Sequence, residues 1–295
     1  MSLPLPAVPP EPTVRSLLVP GGPDPAALVL AAALGLGYAI GVRRLGRRGR
    51  RWPRGRTVAF GAGTALLVVA TQSGLARYDG VLFSAHSAQH VLLGMVAPAL
   101  LALGAPVTLA LQASGRPTQQ LLLRVLHHPV VRLLAHPVVA WLLFGGTLVA
   151  LYASPLLELS LRNELVHGGV HLHFLAAGWL FCWTAVGTDP NPHRLHPGAR
   201  VGFVFLAVPL HAIVGVSLLS TTSLLAGGRY AESPPSWLED ALADQRLGAG
   251  ILWAAGELFG LALTGVALVR WMGAEDRAGR RSDVALDAAS RSVAP

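Results

Sequence analysis

Val42-Arg-Arg-Leu-Gly-Arg-Arg-Gly-Arg-Arg-Trp-Pro-Arg-Gly-Arg56 sets eight arginines in one short stretch, flanked by Pro25 to Val42 and Thr57 to Leu75, which carry no charge at all. Each flank is close to the roughly 20 apolar residues that cross a bilayer. The arginines therefore occupy a loop joining two membrane spans. Short basic loops stay on the cytoplasmic side, so this loop lies inside and every later loop follows by alternation.

Working outward, five further stretches have spanning length: His86 to Leu109, Pro137 to Leu156, Leu165 to Gly187, Ala199 to Thr222 and Gly248 to Met272. Seven spans place the N-terminus outside and the C-terminus in the cytoplasm. On that assignment eighteen of the 23 basic residues lie inside, and only Arg15, Arg77, Arg162, Arg229 and Arg246 lie outside. The expected fold class is all-α, a polytopic membrane helix bundle of about seven transmembrane helices. Residues 25–272 form the membrane domain, residues 1–24 read as a disordered proline-rich outer tail, and residues 273–295 as a cytoplasmic tail. Thr118 to Leu134 suits a helix lying on the inner surface or an ordinary connecting helix.

Composition agrees with this class and removes others. Of 295 residues 53% are hydrophobic and 13% charged, which does not fit a water-soluble globule. The net charge of +8 comes wholly from arginine, because the chain has no lysine. Since the arginines act as orientation signals and partners of anionic membrane lipids, the basic excess does not call for nucleic acid. The single cysteine, Cys182, excludes an internal disulfide, a Cys-rich zinc site and an iron–sulfur cluster. Three methionines exclude a thioether-rich channel, which leaves eleven histidines as the plentiful metal ligand.

Ionisable groups inside spans are costly, and each is a functional candidate. His86 and His90 stand four residues apart at the outer end of the third span, on one helical face. Glu164, His167 and His171 repeat this arrangement at the outer end of the fifth span, at i, i+3 and i+7. Asp244, with Gln245, enters the seventh span at the same depth, as a further ligand or as a helix N-cap. His173 points off the ligand face and reads as a partner for another helix. His211 and Glu257 lie deeper, either bonded to each other or serving ion or proton passage. Cys182 reads as a packing residue, and His127, His128, His136, His193 and His196 as structural groups among inner-side arginines. Imidazoles with a carboxylate and no thiolate suit copper, zinc or iron. Haem is the competing cofactor, held by His90 with His171 or by either with His211.

These residues resemble the caa3-type CtaG family, seven-helix membrane proteins that act as cytochrome c oxidase assembly factors. The match rests on His86-x3-His90 followed by Ala97-Pro98 and Gly104-Ala-Pro106, and on His167-x3-His171 leading to Trp179 and Trp183. It also rests on the loop around Tyr230 and on Asp244-Gln245-x2-Gly248-x4-Trp253, and it covers approximately residues 57–272. Leu252 stands where the family pattern leads one to expect methionine. The resemblance implies a non-catalytic plasma-membrane protein that aids copper insertion into a haem-copper oxidase, with copper as the metal and no haem. It implies oxidase subunits, and a separate copper chaperone, as partners. The ligands expected are drawn from His86, His90, His167, His171 and Asp244. The other classes weighed are transport of copper or another cation through His211 and Glu257, and a haem-binding redox protein. Small residues at 168, 169, 178, 202 and 215, all glycine, are expected to let helices approach closely.

Overall fold

The computed structural model describes residues 9–22, 24–232 and 234–293, and every regular element among them is helical. Six helices are long and apolar enough to cross a membrane: Pro25–Arg47, Arg54–Tyr78, Phe83–Ala113, Glu164–Val186, Pro197–Leu219 and the helix beginning at Ala241. A seventh span is bent. Pro137–Tyr152 is followed, after a 76° turn at Ser154-Pro155, by Leu156–Arg162, because a proline ring cannot continue the preceding helix. The chain is thus a polytopic helix bundle of six to seven spans, numbered first to seventh below with the bent pair as the fourth.

The third span is the central one. Its apolar window is 61% buried, against 17–33% for the other five long helices. Pro98 has no N–H to offer the Gly94 carbonyl, and its ring crowds that carbonyl. The turn widens into a π-helix over Leu92–Val96. The freed Gly94 oxygen then faces the fifth span at Gly178, where a Cβ would overlap it. A Cβ on Gly94 would in turn lie 2.8 Å from the Phe174 ring. Glycine on both sides lets the third and fifth spans touch backbone to backbone. Lower down, Ala105 adopts a left-handed φ of 51° before Pro106 restarts the helix. Asp189 caps this new start, accepting from the Val107 and Thr108 amides at 3.0 and 2.7 Å.

Of the other glycines expected to allow close approach, only Gly215 does so, against Trp253; a Cβ at Gly168, Gly169 or Gly202 would meet nothing within 4 Å. The segment expected to form one helix over Thr118 to Leu134 is two, Arg116–Leu126 and Pro129–Leu134, with no buried residue in either. Pro129 disfavours helical backbone at His128.

The C-terminal tail is helical, and the N-terminal one differs from expectation. The seventh helix runs unbroken over Ala241–Val293, 53 residues, about 80 Å at 1.5 Å per residue. The segment after Met272 therefore continues the span as helix out of the membrane, since its alanines and arginines are good helix formers. Residues 9–22, expected to be disordered, pack on the opposite end of the bundle. The Trp237 indole donates to the Pro9 carbonyl at 2.9 Å, and the Tyr78 hydroxyl to the Pro10 carbonyl at 2.8 Å. A Thr13/Ser16 capping box starts a short helix, Val14–Leu18, and Leu17 joins Leu75, Tyr78, Leu82, Trp237 and Leu238 in an apolar cluster. Aromatic donors that reach proline-segment carbonyls hold this strap where composition alone suggests no structure. Residues 1–8 of the expected tail lie outside the described residues.

Candidate metal centre

His86 and His90 lie on one face of the third span with ring centroids 4.0 Å apart, and His167 and His171 on one face of the fifth with centroids 4.2 Å apart. Because the two spans touch at Gly94 and Gly178, the pairs face each other. His86 is 5.8 Å from His167 and His90 is 5.5 Å from His171, centroid to centroid. The four imidazoles expected from spacing thus form a single quartet.

The quartet is graded in burial. His86 and His90 are 0% and 1% exposed and His171 is 9%, whereas the His167 side chain retains 20%. Neither ring nitrogen of His86 or of His90 has a hydrogen-bond partner, nor has Nε2 of His171. Five buried polar atoms without partners in so small a volume are exceptional, because leaving one unsatisfied costs about 1–3 kcal/mol. The chemistry of this set would suit a metal ion that prefers imidazole.

Asp79 brings a carboxylate to the edge of the quartet. Ser73 breaks the second span, and the short helix Gly74–Tyr78 that follows brings Asp79 over the fifth span. Its Oδ2 lies 3.2 Å from His167 Nε2, and the ligand atoms of Asp79, His167 and His171 all fall within 4.8 Å of one another. Tyr230 holds this corner by donating its hydroxyl to the Asp79 carbonyl at 3.3 Å. Burial raises the Tyr230 phenol well above its ordinary value, so it remains a donor.

Asp244, expected among the ligands, is engaged elsewhere. Leu82, the N-cap residue of the third span, provides no side-chain cap. Asp244 reaches across from the seventh helix to take the Phe83 and Ser84 amides at 2.7 and 3.3 Å, together with the Ser84 hydroxyl. It caps the helix that carries His86, while the N-cap of its own helix is Asp240. Gln245 is 1% exposed and clamps the preceding loop through the Leu225 amide and the Ser223 carbonyl. Glu164 is exposed at the first turn of the fifth span and is not among the ligand atoms that cluster with His167 and His171. Asp79 escaped sequence reasoning because it lies beyond the apolar run of the second span at no ligand spacing; an acid seven residues before His86 was its only signal.

Deeper in the bundle, His211 is 5% exposed, and Glu257 forms no hydrogen bond with it among the described residues. His211 Nδ1 pairs with the Ala207 carbonyl at 3.0 Å. His173 pairs with the Thr147 hydroxyl of the fourth span at 2.7 Å, away from the quartet as its spacing predicts. Cys182 is fully buried in the core. At the arginine-rich end, His127 bonds the Leu123 carbonyl, His128 and His196 cap helices, and His136 packs on His193.

A family model described as cytochrome c oxidase caa3 assembly factor matches residues 36–274. Uncharacterized proteins of Mycobacterium bovis and Mycobacterium tuberculosis are each 35% identical over 94% of this chain. One from Mycobacterium leprae is 37% identical over 86% of it. The chain spans about two-fifths of the length of these relatives, 43% in the first two and 40% in the third. No solved structure matches.

Proposed function

The chain belongs to the family of cytochrome c oxidase caa3 assembly factors, and from that premise we propose that it carries copper, as cargo, to a haem-copper oxidase. The carrier is the quartet His86, His90, His167 and His171, with Asp79 in the carboxylate role that sequence alone gave to Asp244. The observation that carries this reading is the set of buried, unpartnered imidazole nitrogens on His86 and His90 facing the fifth-span pair.

The gradient of exposure supports a direction of entry. Asp79 and His167 are the accessible members, so a cation meets a carboxylate first and the dry imidazoles last. Exchangeable imidazoles suit release better than thiolates, which hold copper tightly. The role is non-catalytic: the protein orients ligands and shields the ion, and its seat is the plasma membrane. The partners are an oxidase subunit that receives the copper and a chaperone that supplies it. Haem fits less well, because the Gly94–Gly178 contact lies within two turns of His90 and His171 and a porphyrin clamped between those rings would force it open.

The test is the copper content of the detergent-purified protein, with the His86→Ala/His90→Ala double variant alongside and the oxidase activity of cells carrying each. Near-stoichiometric copper in the wild type, absent from the variant and accompanied by loss of oxidase activity, is the expected result. Unchanged copper and unchanged oxidase in the double variant would sink the proposal.

A further inference from the structure

Behind the quartet, toward the bundle interior, a narrow crevice of about 10 Å³, room for a single water-sized guest, lies between the third, fourth, fifth, sixth and seventh spans. Its walls are apolar, with Phe144, Leu148, Phe174 and Leu252 among them. Three groups able to ligate a metal also line it: His90, Met95 and His211. Thr147, a further polar group on the wall, is committed to the Leu143 carbonyl and to His173.

We infer that this crevice is a second coordination site, for a soft monovalent metal ion, built from His90, Met95 and His211. The inference rests on the copper-carrying reading of the quartet. His211 is held in the ligating tautomer. A carbonyl oxygen only accepts, so the Ala207 carbonyl 3.0 Å from Nδ1 requires the proton on that nitrogen. In the neutral ring Nε2 then presents a bare lone pair, and it is buried with no partner. Metal-bound histidines commonly donate their other nitrogen to a backbone carbonyl in this way. The ring has a fitted seat, since a Cβ on Gly256 of the seventh helix would lie 2.7 Å from its Cβ and Cδ2.

Met95 reaches the same space because of the π-turn. In a regular helix a residue five places after His90 points well away from it. The turn over Leu92–Val96 takes up an extra residue, so Met95 stands over His90 much as an i+4 residue would. Neither ring nitrogen of His90 has a partner, so either can be the bare one; a neutral ring has a single lone pair to give, so while His90 serves the crevice the outer ion rests on His86, His167, His171 and Asp79.

The ligand class follows from the donors. Two imidazoles and a thioether are neutral and soft, and no carboxylate lines the crevice. That set prefers cuprous copper or its silver analogue to hard divalent ions. A single charge also suffers far less than a double one on entering an apolar wall, because the solvation loss grows with the square of the charge. The crevice is then where an ion rests after passing the Asp79 gate.

The experiment is anaerobic titration of the purified full chain with copper(I) against a chromogenic chelator, with X-ray absorption at the copper edge. Wild type is compared with Met95→Leu, a volume-conserving change, and with His211→Gln. The expected result is two tightly held equivalents in the wild type, with a copper–sulfur path. Each variant should retain one equivalent, and the sulfur path should vanish in Met95→Leu, which separates Met95 from the Cys182 sulfur. One equivalent in the wild type with nitrogen and oxygen ligands only would overturn the second site and leave the quartet standing. A sulfur path that persists in Met95→Leu would also overturn it. No bound copper in the wild type would overturn both readings.

Discussion

Asp79 and Asp244 are both carboxylates near the quartet, and their partners set their roles apart. Asp79 faces His167 Nε2; Asp244 is occupied by two amides and a hydroxyl of the third span. Asp79→Asn is expected to weaken copper binding about ten- to a hundred-fold, the usual cost of losing a carboxylate that ligates or orients a histidine, as read by chelator competition. Asp244→Ala should keep the copper stoichiometry and lower stability by about 1–2 kcal/mol, the upper range for a lost N-cap, measured as the thermal midpoint in detergent. If Asp244→Ala alone abolished copper binding, the assignment of the carboxylate to Asp79 would be wrong. Tyr230→Phe removes the hydroxyl that holds the Asp79 carbonyl and should weaken copper binding by less than Asp79→Asn does.

Among the elements, the contact between the third and fifth spans decides whether the histidine pairs meet. Gly178→Ala places a methyl against the Gly94 carbonyl. The expected cost is about 1–3 kcal/mol for an overpacked contact, together with weaker copper binding as the pairs are pushed apart. Gly168→Ala, three turns nearer the quartet end on the same helix, meets open space. It should be neutral, or more stable by up to about 1 kcal/mol, because alanine is the better helix former. Thermal midpoints of the two variants separate a packing role from the general dislike of glycine in helices. The Met95 position depends on the same element: Pro98 opens the turn that brings its side chain round. Pro98→Ala should let the turn close to α-helix and reduce the sulfur signal at the copper edge.

For the whole molecule, the orientation read from the arginines makes a direct prediction. In a Cys182→Ser background, a cysteine at Gly55 should resist a membrane-impermeant maleimide in intact cells and react once the membrane is opened. A cysteine at Glu239, at the quartet end, should react in intact cells. The opposite pattern would place the quartet on the cytoplasmic side. Deleting residues 1–12 removes the strap that Tyr78 and Trp237 hold. Because Asp79 follows Tyr78 directly, the deletion should raise the rate of copper exchange, followed by chelator capture, more than it changes the amount bound at equilibrium.

Local runs and spacings were enough for the membrane class, the spans and the pairing of histidines on each helix. Apolar stretches and a block of eight arginines give the membrane class and the spans, because crossing a bilayer depends on the composition of about 20 consecutive residues. The 3.6-residue period gives two histidines to one face of each helix, and it also turns His173 away. Which groups meet across the chain came only with the packed helices. Asp79 joins the quartet through a break at Ser73, and Asp244 is drawn off by an uncapped helix start at Phe83. The proline-rich strap is held by Tyr78 and Trp237, far away in sequence. Met95 and His211 come to one crevice because a π-turn and Gly256 make room for them. Each of these depends on contacts between residues tens to hundreds of positions apart, and no periodicity in a single chain records them.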